Sequence, residues 1–142
     1  MTALRLNSIL LSSTDPGRLG EWYAQAFQPE RDQTMDGYRM LQFGDCMIVI
    51  DTRDDIGPRN PEPGRVILNF ETDDARAAVQ RMDGMGVEWL APLEDRGSSD
   101  FFATAIDPDG NYVQVIEMGE ESRRAMEAGT LDAASMRPRA EG

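Results

Sequence analysis

The chain has 142 residues, enough for one domain with its own core, and its 40% hydrophobic and 28% charged content is that of an ordinary globular protein. Acidic residues outnumber basic ones 26 to 14, a formal charge of −12, which argues against a nucleic-acid partner and favours a cationic small molecule. There is no histidine and one cysteine, Cys46, so histidine catalysis and an intrachain disulfide are excluded. Any metal site would need carboxylates, amides or Cys46.

Residues Leu6 to Ser13 read as a strand. Thr14-Asp15-Pro16 then supplies a capping oxygen and a proline suited to a first helical turn. Leu19, Trp22, Tyr23, Ala26 and Phe27 fall at i, i+3, i+4, i+7 and i+8, one apolar helix face, and Pro29 limits the helix. Tyr38 to Phe43 and Cys46 to Asp51 flank Gly44-Asp45 and read as a hairpin. The stretch Arg53 to Gly64 holds three prolines and two glycines, a loop or linker.

The pattern then repeats. Arg65 to Glu71 reads as a strand, and Thr72-Asp73-Asp74 again offers caps. Ala75, Ala78, Val79 and Met82 make a second helical stripe, ended by Gly84 and Gly86. Val87 to Leu90, Phe101 to Ile106 and Tyr112 to Met118 follow as strands, the last two joined by the turn Asp107-Pro108-Asp109-Gly110-Asn111. Each half therefore gives strand, helix, then two or three strands. The implied fold is α+β, one domain over 1–118 made of modules 5–52 and 65–118 joined by loop 53–64, each one-sided sheet needing a cover. Two such units curling together would form a shared cleft.

This βαβββ repeat resembles the vicinal oxygen chelate superfamily, which includes glyoxalases, extradiol dioxygenases and bleomycin-resistance proteins. Asp15 opening the first helix, Trp22-Tyr23 within it and the Asp107–Asn111 turn before the last strand carry the likeness, over roughly residues 5 to 118. The resemblance implies four inward-facing metal ligands in catalytic members, usually histidines and glutamates. The corresponding positions here are Ser8, Ile67, Gln114 and either Val49 or Asp51. Isoleucine has no lone pair and serine is a poor ligand for a divalent ion, so the chain aligns with the metal-free branch, and no cofactor is expected.

The expected ligand-binding residues are Ser8, Asp51, Ile67, Asn69, Phe102 and Gln114, with Ser12 as a further hydrogen-bonding side chain on an inward face. Asp51 and Glu71 are candidates for proton transfer, and Trp89, Phe101, Phe102 and Tyr112 for stacking on a flat ligand. Each has a plainer role open to it: polar groups can satisfy neighbours, carboxylates at strand ends can be solvated, and strand aromatics can pack across the sheet. Trp22, Tyr23 and Phe27 read as core, and so does Cys46. The nine methionines scatter along the sequence.

Residues 119–142 form a tail with helical propensity around Glu120 to Ala128 and charge pairs Glu120–Arg123 and Glu121–Arg124 at i, i+3 spacing. It is either an arm on a partner subunit or a frayed acidic tail. Two functions stay open. One is a protein that binds and sequesters a small molecule, as a homodimer by the resemblance. The other is a metal-independent isomerase, cyclase or lyase. No apolar stretch suits a membrane, and Met1-Thr-Ala-Leu-Arg lacks a secretory apolar segment, so a cytoplasmic setting is the expectation.

Overall fold

In the computed structural model, which describes residues 3–129, strand β1 (Ser8–Ser12) leads into helix α1 (Pro16–Phe27). The junction is built as the residue types require. Ser13 Oγ accepts the Asp15 N–H at 2.9 Å, Asp15 Oδ1 accepts the Arg18 N–H at 3.2 Å, and Pro16 begins the helix. Gln28 ends it in the left-handed conformation at φ 49°. Strands β2 (Arg31–Met35), β3 (Tyr38–Phe43) and β4 (Cys46–Asp51) complete a sheet of order β1-β4-β3-β2, with β1 parallel to β4 and the other pairs antiparallel.

Strand β2 has no counterpart in the sequence reading. All five of its residues are exposed, so no apolar alternation marks it. Its turn supplies what the strand lacks: Asp36 and Gly37 both take positive φ, 52° and 83°, as a two-residue hairpin of primed type requires. Arg39 adds a forked grip, its Nε and Nη2 donating to Asp32 at 2.9 and 2.7 Å while Nη1 reaches Glu21 of α1 at 3.1 Å. That arginine crosses Gly20, where a Cβ would lie 2.9 Å from Arg39 Cδ.

One face of this sheet is dry. Leu41, Ile48 and Ile50 are buried on the same side as Leu19, Tyr23 and Ala26 of α1, which lies against β4. Burial of each large aliphatic side chain contributes about 1.5–3 kcal/mol. Trp22, Tyr23 and Phe27 form an aromatic cluster with centroids 4.9 to 6.0 Å apart, yet only Tyr23 is fully buried.

The second module repeats the construction. Strand β5 (Leu68–Glu71) precedes helix α2 (Ala75–Gly84), with Thr72 Oγ1 accepting the Asp74 N–H at 3.2 Å and Asp74 Oδ1 the Ala77 N–H at 3.0 Å. Strands β6 (Glu88–Asp95), β7 (Phe101–Ile106) and β8 (Tyr112–Glu117) complete a sheet of order β5-β8-β7-β6, with β5 and β8 parallel. Edge strand β6 runs well past Leu90, and its register breaks around Ala91, next to Pro92, at a place where a proline costs no ladder bond. Between β7 and β8, Asp107 Oδ1 accepts the N–H groups of Asp109 and Asn111, both at 2.9 Å, and Gly110 takes φ 83°. Ala75, Ala78 and Met82 of α2 are buried, and the helix lies against β6, β7 and β8.

The tail starts as helix α3 (Glu120–Glu127) rather than as frayed chain. Its charge pairs differ from the expected ones. Arg124 pairs with Glu120, four residues away, the better spacing for an acid N-terminal to a base. Arg123 turns instead to Glu71 of β5, at 2.6 Å. Residues 130–142 lie outside the described part of the chain. The described residues divide into two compact units, one up to Asn60 and the other from Pro61 onward.

Candidate functional site

Each sheet has a helix on one face, and the other face carries the polar side chains of interest. Pleat alternation and strand register decide which residues share it. In the second sheet, Asn69 pairs with Gln114 and Gln114 with Thr104. These three side chains therefore lie in a row across β5, β8 and β7, on the face opposite α2. Gln114 is 1% exposed and Thr104 also 1%. Gln114 Nε2 donates to Thr104 Oγ1 at 3.4 Å, a long bond, while Gln114 Oε1 is buried and has no hydrogen-bond partner. A buried acceptor left unpaired costs about 1–3 kcal/mol.

Phe102 lies on this same face but is 3% exposed, packed with Ile116 and Met118. One side of its ring carries the Arg96 guanidinium at 4.1 Å, and Arg96 Nε donates to Glu94 at 2.5 Å. Arginine thus takes the stacking position considered for a flat ligand. Two of the other aromatic candidates serve the protein too. Trp89 Nε1 donates to Asp83 of α2 at 2.8 Å, and Phe101 lies under Arg76 at 5.2 Å. Ile67 stands just before β5, half-buried, and Asn69 is exposed.

In the first sheet, Ser8, Leu10 and Ser12 of β1 pair with Met47, Val49 and Asp51 of β4. Val49 and Asp51, alternatives by sequence, thus share one face, away from α1. Ser12 Oγ donates to Asp51 Oδ1 at 2.6 Å. Ser8 is exposed and stands four residues from Ser12, beside Met47 rather than Asp51. Glu71, the other carboxylate candidate, is held by Arg123. Cys46 is half-buried, its Sγ 4.0 Å from the Met47 carbonyl.

The donors at the positions where metal ligands were sought do not suit a divalent ion. Ser8 offers a neutral hydroxyl, Ile67 nothing, and Gln114 a neutral amide, leaving Asp51 as the sole anionic oxygen among them. Among the described residues, no three Cys, Asp or Glu side chains are grouped as a metal would need. Thr104 and the Glu94–Arg96 pair were not anticipated. Alternation from Phe102 would have found Thr104, whereas the Arg96 fold-back depends on the turn at 96–100, which carries positive φ at Gly97, Ser98 and Ser99.

The family model described as Glyoxalase/Bleomycin resistance protein/Dioxygenase superfamily matches residues 5–115. The chain belongs to this superfamily. An integron cassette protein of Vibrio cholerae is 21% identical with TM-score 0.64, the match covering 82% of this chain and 97% of that one. A fosfomycin resistance protein from Mesorhizobium loti is 16% identical with TM-score 0.65, covering 88% and 100%. A lactoylglutathione lyase from Agrobacterium tumefaciens is 19% identical with TM-score 0.61, covering 82% and 96%. At these identities the likeness shows the fold and leaves the activity open. No curated protein matches the chain significantly. No helix among the described residues is long and apolar enough to cross a membrane.

Proposed function

We propose that this superfamily member binds a small organic molecule through side-chain amides and hydroxyls, without a metal, and releases it chemically unchanged. The observation that carries the reading is Gln114: a buried amide whose Oε1 has no protein donor, flanked by Thr104 and Asn69 in one row. Such an acceptor is stabilised by a ligand N–H or O–H, and an apolar residue would serve the fold better without one. A symmetric homodimer in the cytoplasm belongs to this reading, as does a role in sequestration or self-resistance.

The alternative, a metal-independent isomerase, cyclase or lyase, draws support from the Ser12–Asp51 pair, which gives Asp51 a fixed orientation. It would use Asp51 as the base and an amide to polarise a carbonyl. Gln114 runs against that role, since its Nε2 faces Thr104 and the buried end is an acceptor. Glu71 runs against it too, held by Arg123.

Affinity selection from a small-molecule library, read by mass spectrometry, tests the choice. Recovery of bound molecules at unchanged mass, with retention lost in Gln114→Leu, supports binding. Recovery of converted molecules, or full retention by Gln114→Leu, overturns it.

A further inference from the structure

The amide row of the second sheet is open at one end and sealed along the rest. Asn69 on β5 is exposed, while Gln114 and Thr104, its successive partners on β8 and β7, are each 1% exposed. A ligand therefore reaches the bare Gln114 acceptor only if a neighbouring part of the protein moves. In the next row Glu71 pairs with Ile116, and Ile116 with Phe102. This row faces the same way, since Glu117, one residue on, turns to the other side and accepts the Ala75 N–H of α2 at 2.8 Å. Glu71 thus stands two residues, roughly 7 Å, from Asn69 along the same face of β5. Its carboxylate accepts from the Arg123 guanidinium of α3 at 2.6 Å, so α3 has a hook at the open end of the row.

Few contacts hold α3 in that place. Helix α1 buries four residues and α2 three, but α3 buries Ser122 alone. The Ser122 hydroxyl donates to Asp100 at 2.5 Å, and the Gly119 N–H donates to the same carboxylate at 2.7 Å. Asp100 closes the turn at 96–100, where Ser98 and Ser99 take positive φ, 54° and 61°, which serine keeps only when its surroundings hold it there. Gly119 lies so close to this turn that a Cβ would sit 1.8 Å from the Ser98 carbonyl oxygen. The chain just before Gly119 is fixed, because Met118 is buried with Phe102 and Ile116. Helix α3 therefore hangs from one carboxylate and one exposed ion pair, with no buried apolar side chain of its own. Elements held in this way open before the core does.

We propose that α3 is a gate on the amide row, hinged at Gly119, latched by Asp100 and hooked to Glu71 through Arg123, and that its opening admits the ligand to Gln114. The proposal rests on the Gln114 reading and adds its regulation, yet its test needs no ligand. A thiol at the guarded position reports access: full-length Cys46→Ser/Gln114→Cys protein, with N-ethylmaleimide as the probe. Alkylation of this reporter should be slow, at least about a hundredfold below a free thiol. Adding Arg123→Gln should speed it roughly two- to fivefold, and adding Asp100→Ala at least about tenfold, in proportion to the contacts each removes. Hydrogen exchange should quicken by similar factors in residues 119–128, while β7 and β8 keep their protection. Arg123 is exposed, so its variant folds and carries the test even if Asp100→Ala does not.

Alkylation of the reporter at the free-thiol rate, or equal rates with and without the latch substitutions, overturns the gate. Acceleration matched by faster exchange in β7 and β8 assigns access to global unfolding, and overturns it as well. None of these outcomes touches ligand loss in Gln114→Leu, so the gate fails separately from the binding reading. That reading in turn fails by itself if the leucine variant retains its ligand.

Discussion

Gln114→Leu should make the protein more stable and less able to hold its ligand. The two side chains are similar in size, so the substitution opens no cavity and adds no bulk. It removes an acceptor, Oε1, that is buried without a partner, a feature costing about 1–3 kcal/mol. Paired with Thr104→Val, so that the buried Thr104 hydroxyl is not left unpaired in turn, it forfeits only the Nε2 bond to Thr104, which at 3.4 Å contributes about 0.5 kcal/mol. The net gain is then about 1–2 kcal/mol, a rise in Tm of roughly 3–8 °C for a chain of this size. Thermal unfolding by circular dichroism, with urea denaturation as a second measure, reads this directly. A loss of more than about 1 kcal/mol would mean that Oε1 is satisfied within the folded protein by a resident water, and the reasoning from an orphaned acceptor would collapse.

Asp100 accepts the Gly119 N–H at 2.7 Å and the Ser122 hydroxyl at 2.5 Å, serving as a remote cap for α3, whose own cap residue has no side chain. Asp100→Ala should cost about 2–3 kcal/mol and speed tryptic cleavage after Arg123 and Arg124; an unchanged digestion rate would contradict the anchoring role. Gly119→Ala should be worse, because its Cβ would sit 1.8 Å from the Ser98 carbonyl oxygen, and a variant as stable as the parent would show that the 96–100 turn yields freely. Hydrogen bonds from Gln25 and then Arg39 hold the Glu21 carboxyl below its ordinary range, and those from Arg39 do the same for Asp32. Depressed carboxylate pKa values stabilise the fold above the unfolded-state value, and that stability is lost as pH falls through the folded value. Stability should therefore decline below about pH 4, and Arg39→Gln should flatten that decline; parallel acid profiles would refute the pairing.

The fold was legible wherever the chain advertises periodicity or punctuation. Asp15 and Asp74 cap the helices they were expected to cap, and the Asp107–Asn111 turn forms. Strand β2 was not legible by hydrophobic pattern, since Arg31 to Met35 bury nothing, although Asp36-Gly37 is itself a hairpin signal. The candidate site was legible in residue types more than in environment. Alternation placed Asn69 and Gln114 together, but no pattern in sequence reveals that Gln114 Oε1 lacks a donor or that Arg96 folds onto Phe102. Those depend on turn geometry and on contacts distant in sequence.

Metal content bears most directly on the central proposal, that amides and hydroxyls have replaced a metal in this superfamily member. Native mass spectrometry of protein purified without chelator reads bound metal, subunit count and retained organic adducts in one spectrum. The account predicts subunits free of stoichiometric divalent ion, with any adduct organic and of unaltered mass. One tightly held divalent ion per subunit would contradict it.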